Sequence, residues 1–383
     1  MDTPVIRVAA LHESDAEAVA RFFRNVWHGG GEGEDRKTLS VAPVENCPFP
    51  EGQPAPVAGV FAGEQIVGYL GSIPTRFWDG SRLVNAHWLK GFMVLEEYRN
   101  GPIGYLLLKQ MMSQVSLSAS MVVAPAARRL LEAVGFKDIG VVPNYVSILR
   151  PANVLHTIDP ERLGLGALSA SLKAALRLTK LGPIRRLAAG SAAVVLRLVD
   201  ALNRMASLGL SAAVQSSPPQ ASQVDSLWQA MMKRLKAAPY RSGDYIQWRY
   251  ANANLGRYEF ICVRRRQSLA ALVVVRRPER LDDPRLAGLR IGLVVDLMVD
   301  PADAAAIARG LLAARNWARG CDCDAVLLTL SHGGLGRLAA RAGYIRMPGN
   351  VHFLVRAPAG TIDHSIDLKQ SWVTRGDAWG DDL

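Results

Sequence analysis

The sequence predicts an α/β protein with two mixed-sheet domains in tandem, joined by a helical segment. Its 383 residues exceed one usual domain of roughly 100 to 200 residues. Residues 1 to 150 and 240 to 383 each alternate short apolar runs with amphipathic helical patterns, which predicts strands and helices in both. Residues 151 to 239 are dominated by Ala, Leu and Arg, and their pattern predicts helices.

The composition favours a globular protein without a membrane span. Hydrophobic residues make up 49% and charged residues 21%, and no apolar stretch reaches the ~18 uncharged residues of a spanning helix. The N-terminus lacks a basic segment followed by an apolar one, so we expect a cytoplasmic protein. The four cysteines are scattered, and "CDC" at 321 to 323 lacks zinc-finger spacing, which predicts free thiols and no metal site.

The net charge of +11 is unevenly distributed. Lys and Arg together number 14 in residues 1 to 150, 8 in residues 151 to 220 and 23 in residues 221 to 383. Asp and Glu together number 15, 3 and 16 in the same three ranges. Because the first block is neutral, we expect any anionic partner to contact the later blocks, and we expect no nucleic acid partner.

Residues 5 to 150 predict the element order β-α-β-β-β-α-β-α-β. A strand and a helix open the block, and three antiparallel strands begin at residue 57, with turns at residues 63 to 65 and 79 to 80. After "EEYRNGPIGYLLLKQM" come a strand, a helix stopped by Gly135, and a last strand near "VVPNYVSILR". A similar order follows residue 240. Aligning residues 92 to 94 with 297 to 299 gives an offset of 205, which indicates a tandem repeat.

The stretch "RNGPIG" at 99 to 104 lies between a strand and a helix and allows two interpretations. Exposed N–H groups at a helix N-terminus, together with the positive end of the helix dipole, are a general site for pyrophosphate. The alternative is a plain turn in which Asn100-Gly101 supplies a positive φ and Pro102 begins the helix. Without further context, the pattern favours the plain turn.

In context, this region resembles the GNAT superfamily of N-acyltransferases. The strand "FMVL", a loop of the form Arg/Gln-x-x-Gly-x-Gly/Ala fitted by Arg99, Ile103 and Gly104, and a helix ending in Gly135-Phe136 carry the resemblance over residues 5 to 150. A fainter copy covers residues 240 to 357. The resemblance implies acetyl-CoA, or another acyl-CoA, as cosubstrate. The residues that it implies for binding are Met93, Val94, Arg99, Asn100, Gly101, Ile103, Gly104 and Tyr105.

Two departures from the family pattern bear on this site. Pro102 stands where the pattern has its first glycine, which removes one N–H that would donate to pyrophosphate. The second copy, "VDPADAAAIARGLL", has neither the basic residue nor the glycines. We therefore expect the cofactor in the first block only.

Acyl transfer to an amine needs a base, because an alkylammonium with a pKa of ~10.4 must first lose its proton. His87 on the central strand and Glu96 or Glu97 beside the loop are the candidates. The family's acid, a tyrosine four residues before the Gly-Phe pair, is Leu131 here, which leaves Tyr145 and Tyr105 as candidate acids. Surface solvation or structural hydrogen bonding is the alternative role for these residues.

Two more segments allow both a structural and a functional interpretation. Residues 181 to 208, within the basic stretch 151 to 220, predict an amphipathic helix that packs on a neighbouring domain or contacts an anionic membrane surface, and packing is the commoner role. Residues 240 to 260, dense in Tyr, Trp and Arg, either stack on sugars or anchor the second core, and the anchor is favoured. "WRY" and "SWVTRGDAWGDDL" resemble tandem GNAT proteins of bacterial surface-polysaccharide clusters.

The sequence thus predicts a tandem GNAT-type N-acyltransferase. Residues 1 to 150 would bind acyl-CoA, 151 to 239 form a basic helical linker, and 240 to 383 form a degenerate GNAT-like domain. The implied acceptor is an amine of a small molecule or carbohydrate, such as an amino sugar or a surface-polysaccharide precursor. Two alternatives stay open: a protein similar to cell-wall aminoacyltransferases that use charged transfer RNA, and a non-catalytic binding module.

Overall fold

The computed structural model describes residues 5–27, 47–49, 57–115, 117–121, 123–158, 177–252, 257–280, 288–347, 349, 351–357 and 366–377. The chain divides into two compact units. The first unit comprises Met1–Gly140, Ala237–Tyr240 and Val351–Ile366, and the second comprises Val141–Lys236, Arg241–Asn350 and Asp367–Leu383. Each unit therefore combines separate stretches of chain.

The described strands, in chain order, are β1 Ile6–Ala10, β2 Ala58–Ala62, β3 Gln65–Trp78, β4 Leu83–Val94, β5 Ser118–Met121, β6 Lys137–Val141, β7 Asn144–Ile148, β8 Leu210–Gln215, β9 Ala238–Pro239, β10 Tyr258–Arg265, β11 Ser268–Arg280, β12 Arg290–Val299, β13 Ala325–Thr329, β14 Ile345–Met347 and β15 His352–Arg356. The described helices are α1 Ala16–Trp27, α2 Ile103–Gln114, α3 Pro125–Ala133, α4 Pro151–Thr157, α5 Gly182–Ala206, α6 Ala221–Met232, α7 Gly243–Gln247, α8 Ala304–Gly320 and α9 Gly333–Arg341. Of these helices, none is long and apolar enough to cross a membrane.

The first unit is built on a mixed sheet with the order β1-β2-β3-β4-β5-β15-β6, and β9 pairs with β3. β4 and β5 are parallel, whereas β15 runs antiparallel to β5. The apolar residues of α1 and α2 recur at helical spacing, so one face of each helix is buried. Val19 and Phe22 of α1 and Leu107 and Met111 of α2 share one core cluster with the sheet residue Tyr69.

The second unit has the same plan, with the order β14-β7-β13-β12-β11-β10-β8. β12 and β13 are its parallel pair, and β7 runs antiparallel to β13. Met93 pairs with Tyr69 in the first sheet, and Met298 pairs with Leu272 in the second. The residues aligned by the offset of 205, 92 to 94 and 297 to 299, are the last three residues of β4 and β12.

Two strands, β7 and β15, lie in a different sheet from the one that the sequence predicts. The strand near "VVPNYVSILR" was expected to close the first block, but β7 lies between β13 and β14 of the second sheet. β15 was expected to close the second block, but it pairs with β5 of the first sheet. The spatial units therefore do not follow the predicted boundaries at residues 150 and 240. The physical reason is that an apolar pattern predicts a strand without specifying the edge that the strand joins.

The aromatic and basic segment 240 to 260 anchors the second core. Arg241, Tyr245 and Arg249 are buried, and Arg241 forms ion pairs with Asp296 at 2.9 Å and Asp377 at 2.7 Å. Rings buried in this way cannot stack on a ligand, so the structural interpretation holds for these residues. The four cysteines are free thiols. Within the described ranges, no three His, Cys, Asp or Glu side chains are grouped to hold a metal ion.

Candidate functional site

An opening between two parallel strands marks the candidate site of the first unit. β4 and β5 pair only at His87 with Ser118 and at Trp88 with Ala119. Beyond this point β4 continues to Val94, whereas β5 pairs with β15 on its other side. We call the opening between β4 after Trp88 and β5 after Ala119 the first cleft. In the part of the chain that the structure describes, no strand pairs with β4 on this side.

A β-bulge at Gly91 accounts for the divergence of β4. Gly91 has φ 66°, and the register with β3 shifts between the partners of Tyr69 and Gly71. A bulge bends its strand and increases the local twist, so it directs the end of β4 away from β5. The sequence contains the relevant feature, since a glycine inside an apolar strand pattern often marks a bulge, but the sequence analysis missed it.

The backbone of β4 presents alternate residues to the first cleft. The N–H of Leu95 donates to the carbonyl of Val67 on β3 at 2.9 Å. Since successive residues of a strand point their N–H and C=O groups to opposite sides, Val94 faces the cleft and Met93 faces β3. The carbonyl of Val94 accepts a bond from Nε of Arg99 at 3.1 Å. Of the predicted pair Met93 and Val94, the geometry therefore leaves only the Val94 N–H toward the cleft.

The turn between β4 and α2 presents unpaired N–H groups. The first bond within α2 runs from the Leu106 N–H to the Pro102 carbonyl at 3.0 Å, so the N–H groups of Ile103, Gly104 and Tyr105 precede the helical ladder. No side chain caps this end, and its first turn has no acidic residue. Pro102 lies just before the helix, with φ −79°, so its missing N–H is not one of these three donors.

The plain-turn interpretation assigned a positive φ to Asn100-Gly101, and this detail is wrong, although the turn itself is an ordinary one. Neither residue has a positive φ, and the Gly101 N–H closes an ordinary turn on the Tyr98 carbonyl at 3.1 Å. Arg99 is exposed and held at the end of β4 through its Nε. No carboxylate of the described residues pairs with its two terminal nitrogens. A cation and three helix donors therefore lie together at the mouth of the first cleft.

Two glycines allow close packing at this junction. A Cβ on Gly68 of β3 would lie 2.6 Å from Cγ2 of Ile103, so the start of α2 rests directly on the strand. A Cβ on Gly104 would lie 2.8 Å from Leu130 and 3.3 Å from Phe92. The Gly104 of the loop pattern is thus explained by packing against these side chains.

The corresponding opening in the second unit is filled by the chain itself. β12 and β13 pair from Ile291 with Ala325 to Val294 with Leu328, and we call the opening beyond these residues the second cleft. Residues 371 to 377 lie in it. Thr374 bridges to Leu330 after β13, and the Gly376 N–H donates to the Val295 carbonyl of β12 at 3.0 Å. Nε1 of Trp372 donates to the Leu297 carbonyl at 2.7 Å.

The helix that follows β12 also differs from its counterpart α2. Asp303 caps α8, accepting from the Ala306 N–H at 3.0 Å, and Asp300 accepts from the Ala302 N–H at 2.9 Å. Asp303 thus satisfies one of the donors that α2 leaves unpaired. Both aspartates are ion-paired, Asp300 with Arg234 at 3.1 Å and Asp303 with Arg265 at 2.9 Å. The second cleft is therefore filled by residues 371 to 377, and the helix beside it is capped by a carboxylate.

Comparison with known proteins identifies this architecture. No family model matches the sequence, and no curated protein is similar to it in sequence. Among solved structures, a GCN5-related N-acetyltransferase of Kribbella flavida is 14% identical and has a TM-score of 0.54, covering 92% of this chain and 71% of its own. An N-myristoyltransferase of Saccharomyces cerevisiae with bound myristoyl-CoA is 11% identical and has a TM-score of 0.56, covering 93% and 82%. The chain has the GNAT fold in two tandem units.

His87 of the first GNAT unit lies where β4 and β5 separate. Burial lowers the pKa of its imidazole to about 4, so the ring is neutral near pH 7. Glu96 and Glu97 are exposed in the turn after β4. Val94 lies seven positions after His87 in β4, so the two carboxylates beyond it lie roughly 20 Å along the strand from His87. The three predicted bases therefore do not form one group.

The two candidate acids belong to different units. Tyr145 is buried in β7 of the second GNAT unit, and burial raises the pKa of its phenol. Tyr105 is exposed in the first turn of α2. Leu131, at the family's tyrosine position, is buried in the core of the first unit. Leu131 therefore packs in the core and supplies no acid at this position.

A polar cluster that the sequence analysis missed connects α3 to β6 and β15. His352 Nδ1 is 2.8 Å from Asp138, and Arg128 donates to His352 Nε2 at 2.8 Å and to Asp138 at 2.7 Å. With both ring nitrogens engaged, His352 positions the strands and has no nitrogen left to take a proton. No sequence pattern joins these residues, because His352 lies 214 positions after Asp138.

Proposed function

We propose that the protein is an acyl-CoA-dependent N-acyltransferase that binds the thioester in the first cleft. The observation that carries this proposal is the difference between two openings of the same fold. The first has three helix donors and Arg99 at its mouth, whereas the second contains residues 371 to 377 and two aspartates at its helix. The similar structures support the class of cosubstrate, since they include a GCN5-related N-acetyltransferase and an N-myristoyltransferase with bound myristoyl-CoA.

The residues of the turn fit the diphosphate end of acyl-CoA. The N–H groups of Ile103, Gly104 and Tyr105 and the guanidinium of Arg99 would hold the pyrophosphate, with Asn100 and Gly101 beside it. The Val94 N–H would donate to the pantetheine arm. When bound, the cosubstrate supplies an activated acyl group at the far end of that arm, toward the point where β4 and β5 separate.

We assign His87, among the three predicted bases, as the group that accepts a hydrogen bond from the attacking amine, directly or through water. Its neutral imidazole has an accepting nitrogen at pH 7, whereas Glu96 and Glu97 lie at the pyrophosphate end of β4. We propose acetyl as the acyl group. The proposed acceptor is an amine of a small molecule or carbohydrate, such as an amino sugar of a surface-polysaccharide precursor, on the resemblance of the stretch 371 to 383.

Thermal unfolding with cosubstrate tests the proposal. Acetyl-CoA at about 100 times its Kd should raise the free energy of unfolding by about 2.7 kcal/mol. Arg99→Ala should reduce this gain, because it removes a phosphate partner, while Asp300→Ala in the second unit should keep it. A melting temperature unmoved by millimolar acetyl-CoA and by longer acyl-CoAs would contradict the proposal and favour the binding module.

The Gly101→Ala variant tests whether the turn binds phosphate. The added Cβ would lie 3.4 Å from the Tyr98 carbonyl, an ordinary contact. Without ligand, the variant should therefore have the same melting temperature as the wild type. If the backbone approaches a phosphate here, the methyl group should weaken acetyl-CoA binding about tenfold or more, measured by isothermal titration. Gly182→Ala, whose Cβ meets no atom within 4 Å, is the matched control. Equal affinity of Gly101→Ala and wild type would count against this position for the pyrophosphate.

A further inference from the structure

Helix α5 of the second unit has an exposed apolar face. Six large side chains recur along it at helical spacing, each between 55% and 83% exposed: Leu187, Val194, Leu198, Leu202, Met205 and Leu208 just beyond the helix end. We call this set the α5 stripe. A helix of 25 residues is about 37 Å long, so the stripe is far larger than a single exposed side chain.

The opposite face of α5 attaches the helix to the second unit. Asp200 forms ion pairs with Arg315 at 2.7 Å and Arg319 at 2.9 Å, both on α8. Nδ2 of Asn203 donates to the Arg341 carbonyl at 3.1 Å. The packing role predicted for this segment therefore uses one face, and among the residues that the structure describes none covers the α5 stripe.

The exposed charged residues of α5 itself are all arginines. Arg186, Arg197 and Arg204 are spaced by 11 and 7 residues, so they lie in one row along the flank of the stripe. The one acidic residue of α5 is Asp200, which is buried in its ion pairs. A second copy of this chain would find no acid on this helix to pair with the arginines, whereas an anionic surface complements them.

We propose that the α5 stripe lies on an anionic lipid surface. The apolar side chains enter the boundary between headgroups and acyl chains, and the arginine row contacts lipid phosphates. The helix lies in the plane of the interface. This inference is independent of the proposed acyl transfer, and it extends the membrane contact expected for residues 151 to 220.

Co-sedimentation of the full chain with vesicles tests the inference. The probes are phosphatidylcholine vesicles with and without phosphatidylglycerol, at low and high salt. We expect binding to the anionic vesicles at low salt and release by high salt, because salt screens the arginine row. Replacing the three arginines by serine should lower the partition coefficient on the order of 100-fold, about fivefold for each. Arg337→Ser, an exposed arginine of α9, is the control and should change nothing.

The double variant Leu198→Glu with Leu202→Glu tests the apolar part. Both side chains are exposed, so the fold should survive, and vesicle binding should fall about tenfold or more, since carboxylates resist burial in the lipid. Ile345→Glu, an equally exposed apolar position on β14, should bind as wild type does. Absence of binding at low salt, or unchanged binding by the double variant, overturns the inference. A wild-type dimer that Leu198→Glu dissociates, without vesicle binding, assigns the stripe to a second copy and also overturns it.

Discussion

Burial decides the protonation state of His87, the residue assigned to contact the amine. His87 lies on β4, between β3 and β5, and desolvation lowers the pKa of its imidazole to about 4. Such a ring stays neutral and accepts a hydrogen bond throughout the neutral range, but it is a weak base. If His87 acts on the amine, activity should not show an acid limb near the ordinary histidine pKa of ~6.5.

The low pKa of His87 predicts a pH-dependent stability. Between the folded pKa of about 4 and the unfolded value, the unfolded chain binds the extra proton, so stability is lost as the pH falls below ~6.5. From pH 7 to 5 the loss from this group should be roughly 1 to 2 kcal/mol in urea unfolding. Asp377 contributes with the opposite sign, since burial raises its pKa to about 7.

The His87 contribution is therefore measured as a difference between variants. Wild type should lose this stability relative to His87→Gln as the pH falls, and His12→Gln, an exposed histidine of the same unit, should follow wild type. Parallel pH profiles for wild type and His87→Gln would show that His87 is not buried in its neutral form.

At the scale of elements, the junction of β4 with α2 forms the site. The bulge at Gly91 separates β4 from β5, and Gly68 lets Ile103 rest on β3, which places the start of α2 at the mouth of the first cleft. In the second unit, the junction between β12 and α8 contains the carboxylates of Asp300 and Asp303. A few residues at one strand-to-helix junction thus separate the end that we propose for phosphate binding from a closed one.

Gly68→Ala should disturb this junction. Its Cβ would lie 2.6 Å from Cγ2 of Ile103 in a packed core, so we expect a loss of about 1 to 3 kcal/mol in unfolding free energy and weaker acetyl-CoA binding. Ile103→Ala removes the clashing methyl group. In a double-mutant cycle the combined variant should be more stable than the sum of the single losses, and strict additivity would contradict the contact.

At the scale of the whole molecule, two units with one fold differ at the same opening. Each has a parallel strand pair that opens toward a helix N-terminus. In the second unit, residues 371 to 377 occupy the opening, and the buried Arg241 joins Asp377 to Asp296. That unit is therefore held together by its own C-terminal segment at the place where the first unit would hold a cosubstrate.

Gly376→Ala tests this arrangement. A Cβ at residue 376 would meet the Tyr250 hydroxyl and lie 3.1 Å from the Val295 carbonyl, so we expect the second unit to lose about 1 to 3 kcal/mol. Gly190→Ala in α5, where the Cβ meets nothing within 4 Å, should instead add about 0.5 to 1 kcal/mol. Urea unfolding measures both. A Gly376→Ala protein as stable as wild type would mean that residue 376 does not lie against β12.

The sequence by itself determined the elements and their repetition. Periods of two and of about 3.6 residues predicted the strands and helices, because side-chain direction follows local backbone geometry. The aligned residues 92 to 94 and 297 to 299 are the last three residues of corresponding strands, β4 and β12. The position of Arg99 before α2 followed from the same local pattern.

Only the tertiary structure decided which sheet each strand joins and what lies in each cleft. β7 and β15 are equally apolar strands whose partners lie more than 180 residues away, as in the pair Leu328 with Tyr145. Residues 371 to 377 carry no sign in their pattern that they enter the second cleft, and His352 meets Asp138 across 214 positions. These choices depend on long-range pairing energies and burial in the complete fold, which a local pattern does not encode.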